Sequence, residues 1–172
     1  MNLAIKIMNE NNIQKNEKLL WREWVPAAKF LKILVIFVCL FILSIGIIII
    51  AFIPKELTFL GIIFGALSLF IFLVYWNYRR LKITLTNNQL EVIYGLFNHK
   101  RIPINNITSC DITKARFRTY GGVGIRFGLD GSWAYNTDFG EAVKLTFQHD
   151  RSFVFSTRNP QKICNLIQEL LI

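Results

Sequence analysis

The chain has 172 residues, 53% of them hydrophobic and 18% charged, with a mean hydropathy of +0.39 and a net charge of +9. The apolar excess is too large for an ordinary soluble domain, and it lies mostly between Phe30 and Trp76, leaving a remainder of globular composition. A wholly soluble protein is therefore excluded. Residues 1–80 hold nine Lys/Arg against four Glu (+5), and residues 81–172 eleven against seven Asp/Glu (+4). Nucleic-acid binding would need a dense basic stripe with exposed aromatics, so the excess is read first as membrane topology.

In chain order, a polar, Asn-rich start gives way to "NEKLLWREWVP", where Leu20, Trp21 and Trp24 fall at helical spacing. Residues 1–29 are predicted to be a cytoplasmic tail whose amphipathic segment lies along the membrane surface. From Phe30 to Ile53 only Lys32 is charged; a helix of that length is about 36 Å long, against a hydrocarbon core of about 30 Å. Lys32 sits where its stem can snorkel. Pro54, Lys55 and Glu56 interrupt. Leu57 to Trp76 forms a second uncharged run of about 30 Å, closed by an aromatic belt of Tyr75, Trp76 and Tyr78 and by Arg79 and Arg80. Basic residues flank the outer ends of both spans, so both termini are expected in the cytoplasm. A cleaved signal peptide does not fit, because the first run is too long and no small-x-small site follows it.

Gly61 and Gly65 form a G-x-x-x-G with Ser68 one turn on. Small residues at this spacing let helices approach closely. They are expected to pack within the hairpin, against Ser44, Gly46 or Ala51, with a homodimer seam as the other use.

After Arg80 the period changes to alternation. "LKITL", "LEVIYG", "NHKRIPI", "ITSCDIT", "EAVKLTF" and "RSFVFST" read as strands, with a further one near "GIRFG" or "SWAYN". About seven short strands predict a small barrel or sandwich over residues 81–172. Asn159 is a good N-cap and Pro160 a good first helical residue. Ile163, Leu166, Ile167, Leu170 and Leu171 then make one apolar stripe, that of a helix covering the open mouth of the barrel. Cys39, Cys110 and Cys164 are widely separated, with no C-x-x-C, so neither a zinc site nor a disulfide framework is implied and a reducing compartment fits.

Strands plus a C-terminal capping helix resemble the pleckstrin-homology-like (PH-like) arrangement. "KRIPINNIT", "YGGVGIRFG" and "EAVKLTFQHDRSFVFSTRNPQKICNLI" look like bacterial PH-like domains that follow a two-helix membrane hairpin. The resemblance implies a non-catalytic binding or scaffolding module on the bacterial cytoplasmic (inner) membrane. It does not carry over phosphoinositide recognition, because the first hairpin turn reads Thr86-Asn87-Asn88-Gln89 and offers no cation.

"TKARFRTYGGVGIRFG" (residues 113–128) is the remaining candidate. Its glycines lack the Gly-Lys pair of a P-loop and the helix of a dinucleotide fold, so they are expected to supply turns or a bulge. Lys114, Arg116 and Arg118 share parity and would project to one strand face, with a switch of the inward face near Thr113. With Arg126 they form the predicted binding patch, for anionic headgroups or a protein partner; a merely solvated face is the alternative. His99 precedes Lys100-Arg101 and His149 falls in a hairpin turn, neither in a catalytic pattern, and no G-x-S-x-G, H-E-x-x-H or S-x-x-K occurs. No catalytic residue, metal or cofactor is therefore expected. The competing function is a subunit of an envelope enzyme whose site a partner completes.

Overall fold

The computed structural model describes residues 18–52 and 58–171. They form two compact units: Pro26–Arg80, and the residues up to Val25 together with those from Leu81 onward. The first unit is a pair of helices, Lys29–Phe52 and Thr58–Tyr78, each long and apolar enough to cross a membrane. The predicted break at Pro54, Lys55 and Glu56 lies outside the described residues.

The second unit holds nine strands among the described residues. β1 (Leu19–Pro26), β2 (Arg80–Thr86), β3 (Gln89–Tyr94) and β4 (Asn98–Pro103) make one sheet in that order. β5 (Ile107–Ala115), β6 (Gly124–Phe127), β7 (Trp133–Asn136), β8 (Gly140–Phe147) and β9 (Phe153–Ser156) make the other, ordered β5-β8-β9-β7-β6. All its pairs are antiparallel except β7 with β9. The C-terminal helix is Pro160–Leu171. Of the two expected forms, barrel or sandwich, the two sheets make the sandwich and do not close into a barrel, and "GIRFG" and "SWAYN" both contribute strands.

The largest departure from expectation is at the start. Leu19–Pro26 is a strand, not a helical surface segment. Trp21, Glu23 and Val25 turn inward to varying depth while Arg22, Trp24 and Pro26 turn out. So short a segment cannot sustain a helix by itself, whereas the edge of β2 offers it a ladder. Backbone bonds at both ends, Asn87 N–H to Lys18 O (3.3 Å) and Ala27 N–H to Arg79 O (2.9 Å), set β1 antiparallel to β2. The helical pair is thus inserted between two neighbouring strands of one sheet. The β unit does not begin at residue 81, as the sequence reading had it.

The core is built by Leu81, Ile83 and Leu85 of β2, Leu90, Val92 and Tyr94 of β3, Val143 and Leu145 of β8, and Phe153 and Phe155 of β9, all fully or almost fully buried. Aromatic contacts run Tyr94–Tyr135–Phe153–Phe155, with ring centroids 5.0–6.1 Å apart, and tie the two sheets together. The C-terminal helix packs on β5, β8 and the Ile104–Asn106 turn rather than on a barrel mouth. Its buried line is Pro160, Ile163, Cys164 and Ile167. The buried line thus includes Cys164, which is disulfide-bonded to Cys110 of β5. This pairing corrects the expectation of unlinked cysteines; nothing in their spacing announced it.

Candidate functional site

Lys114 is the penultimate residue of β5, and the strand ends at Ala115. Arg116 is still extended (φ −102°, ψ 141°), but its carbonyl accepts the N–H groups of Thr119 and Tyr120, both at 3.1 Å. Phe117–Tyr120 is therefore one turn of helix. It stops at Gly121, whose φ of 67° would strain a residue with a side chain. Arg118 rides on this turn and not on a strand, so the shared parity of the three cations holds only as far as Ala115.

Nor does β5 switch its inward face near Thr113: its register with β8 is regular from Ser109 to Ala115, and the irregularity lies between Ile107 and Ser109. Each face of the strand instead buries a different residue. Cys110 faces the main core, while Ala115 faces a small cluster of Tyr120, Ala134, Ala142 and Val154. The three alanines leave room for the Tyr120 ring.

Lys114, Arg116 and Arg118 are exposed, and none of them makes an ion pair among the described residues. Between Arg116 and Arg118 stands Phe117, 66% exposed, held edge-on to Phe139 at 5.8 Å. Lys114 and Arg116 also border an open hollow with Thr119, Asp130, Glu141 and Lys144. Inside the hollow Lys144 Nζ donates to Asp130 Oδ2 (3.0 Å), and Ser132 donates to Asp130 Oδ1 through its hydroxyl (2.6 Å) and its N–H (3.2 Å). Burial acts to raise the Asp130 carboxyl, but the bonds from Ser132 and Lys144 outweigh it and hold the group below its ordinary value. Burial pushes the Tyr120 phenol up. Its O–H lies 3.2 Å from Ser132 Oγ, and since that hydroxyl is already donated to Asp130, Tyr120 is the donor there. Ser132 is fully buried with its proton committed, which is the chemistry of a braced loop and not of a nucleophile. The free capacity of the hollow lies in its cations.

The end of β6 comes beside the helical turn, where Leu129 N–H donates to Thr119 O at 3.0 Å. Arg126 lies on β6, at the opposite edge of the sheet from β5. Its Nε donates to Val123 O at 3.0 Å and its guanidinium folds over Gly122, so it staples its own turn.

Gly61 and Gly65 also part company. Gly61 is the point of closest approach: a Cβ there would overlap Ile50 and sit 2.8 Å from Gly46 O. Ser68 Oγ donates to Cys39 O (3.2 Å) further along the same interface. Gly65 has nothing within 4 Å of where its Cβ would lie.

Glu23 escaped the sequence reading. It is 8% exposed, and its Oε2 accepts the Thr157 hydroxyl (2.7 Å), while Oε1 accepts Arg158 N–H (3.0 Å) and Asn159 Nδ2 (3.3 Å). The acidic group thus sits at the start of the C-terminal helix, where a negative charge complements the helix dipole. Its partners lie 134 to 136 residues away in sequence. The only hint was an acid on the same strand face as Trp21 and Val25.

Among the described residues no three His, Cys, Asp or Glu side chains gather to hold a metal ion. Comparison of the sequence with known protein families and with curated proteins finds no match.

Proposed function

We propose that this protein is a membrane-anchored, non-catalytic binding module with a PH-like domain. Two apolar helices moor the domain, and Lys114, Arg116 and Arg118, set around the exposed ring of Phe117, contact anionic groups of its ligand. The observation that carries this reading is the cluster of three exposed cations outside any ion pair among the described residues, next to a solvent-facing aromatic. Cations of this kind attract acidic lipid headgroups or an acidic protein face, and a solvated basic face would not need the exposed ring. Two sheets followed by a C-terminal helix support the PH-like assignment. The basic flanks of the spans support a cytoplasmic domain on a bacterial inner membrane.

Near an anionic surface each cation contributes about 1 kcal/mol, so three contribute about 3 kcal/mol, roughly two orders of magnitude in affinity. The test uses the full chain in neutral-lipid nanodiscs and measures capture of phosphatidylglycerol vesicles. The parent should bind in a salt-sensitive way, and Lys114→Ala/Arg116→Ala/Arg118→Ala should lose most of that binding. Equal, salt-insensitive capture by both would remove the patch from the site.

A further inference from the structure

The two ends of the sheet β1–β4 differ sharply in polarity. At one end the β2–β3 turn is Asn87-Asn88, both exposed and polar. At the other, the register Leu81↔Tyr94 and Tyr94↔Asn98 places the β3–β4 turn, and there Leu96 is 76% and Phe97 83% exposed. Phe97 is among the most solvent-facing large apolar residues of the chain, in a class otherwise filled mainly by the two long helices.

That second end is also where the chain passes into its apolar helices. β2 begins at Arg80 and β1 ends at Pro26. Tyr78 closes the second long helix only three residues before Leu81, a covalent reach of about 10 Å. The polar layer on each side of a bilayer is roughly 5–8 Å deep. The β3–β4 turn lies one strand spacing, about 4.8 Å, from the β2 end. Covalent connection and strand register therefore suffice to bring this turn within reach of the lipid interface.

The surrounding side chains fit the same layer. Trp24, exposed on the outer face of β1, has the Lys82 ammonium 5.7 Å from its ring centroid. Arg79 lies 3.6 Å over the ring of Trp76. Tryptophan beside cations is the composition of the headgroup zone. An exposed Leu-Phe pair on a solvated turn would leave apolar area in water with no return.

We infer that Leu96 and Phe97 insert into the interfacial layer of the bilayer that the chain's own helices cross, making the β3–β4 turn a third attachment point. The inference rests on the reading of those helices as membrane spans. Its partner is the lipid interface, not an acidic ligand, so it is independent of the Lys114–Arg118 patch.

The test uses full-length protein, one copy per phosphatidylcholine/phosphatidylglycerol nanodisc, in a Cys39→Ser background kept oxidised so that Cys110 and Cys164 stay paired. A nitroxide is attached at Phe97→Cys, at Leu96→Cys as a second probe of the turn, at Asn88→Cys on the opposite tip, and at Leu40→Cys within the first long helix. Accessibility to oxygen relative to a water-soluble nickel chelate reports lipid contact. Positions 96 and 97 should show a ratio at least threefold above position 88, approaching that of position 40. If 96 and 97 match 88 while 40 is lipidic, the inference is overturned and the spans stand. If 40 is as aqueous as 88, the spanning reading fails and takes the inference with it. Immobilised labels at 96 and 97 without oxygen enrichment would mean protein contact in place of lipid, and would also overturn it.

Discussion

Replacing Glu23 with alanine removes three hydrogen bonds at once from the junction of β1 and the C-terminal helix. Thr157, itself buried, is left with a hydroxyl aimed at an empty space, and the Arg158 N–H and Asn159 amide lose their acceptor. A buried donor stripped of its partner costs about 1–3 kcal/mol, and an exposed one much less because water replaces the acceptor. Arg158 is exposed, so Glu23→Ala should destabilise the β unit by about 2–4 kcal/mol, a large share of the 5–15 kcal/mol typical of a domain. Glu23→Gln keeps an oxygen for Arg158 and Asn159 and can turn its amide toward Thr157 Oγ1; about 1 kcal/mol is expected. The assay is guanidinium unfolding of the full chain in detergent, followed by tryptophan fluorescence. If both variants unfold within about 0.5 kcal/mol of the parent, the carboxyl group is not a latch. If alanine and glutamine cost the same, charge near the helix terminus matters and the hydrogen bonds do not.

Two further outcomes follow from the geometry. The Cys110–Cys164 bond closes a loop of 54 residues, so Cys110→Ala/Cys164→Ala should lose about 4 kcal/mol in the same assay. Protein purified without reductant should show one alkylatable thiol in denaturant, Cys39. On the proposed cytoplasmic side the pair should be a dithiol in the cell, giving three thiols on acid trapping; finding one there would place the domain in an oxidising compartment. Within the helical pair, Gly61→Leu should break the close approach to Gly46, whereas Gly65→Leu should not. Disulfide crosslinking of Cys39 to Ser68→Cys reads this directly, and should fall several-fold only with the Gly61 change. An equal loss from Gly65→Leu would show that the packing face has been misassigned.

The parts legible in the sequence are those with one dominant period. The apolar runs of the two long helices, the alternation of "EAVKLTF" and "RSFVFST" and the Asn159-Pro160 helix start carry their structure locally. Leu19–Pro26 does not, since Leu20, Trp21 and Trp24 satisfy a helical spacing while Trp21, Glu23 and Val25 satisfy a strand. The inward Glu23 hides the strand, because its reason for being buried is supplied by residues more than a hundred positions away. The cysteine pair was hidden likewise: only the docking of the C-terminal helix on β5 brings Cys164 to Cys110. Around residues 113–128 the misreading was local. Alternate basic residues look like a strand face, but a single helical turn and Gly121 redirect the chain after Ala115.

The insertion of the long helices between β1 and β2 imposes an order of events during synthesis. β1 leaves the ribosome first, yet its neighbour follows only after about fifty more residues, roughly 3–10 s at ordinary elongation rates. Throughout that interval the nascent chain carries an orphan strand bearing an inward acid, while the two long apolar helices between are still being made. The carboxyl group of Glu23 waits longer still, for Thr157, Arg158 and Asn159, more than 130 positions later in the chain.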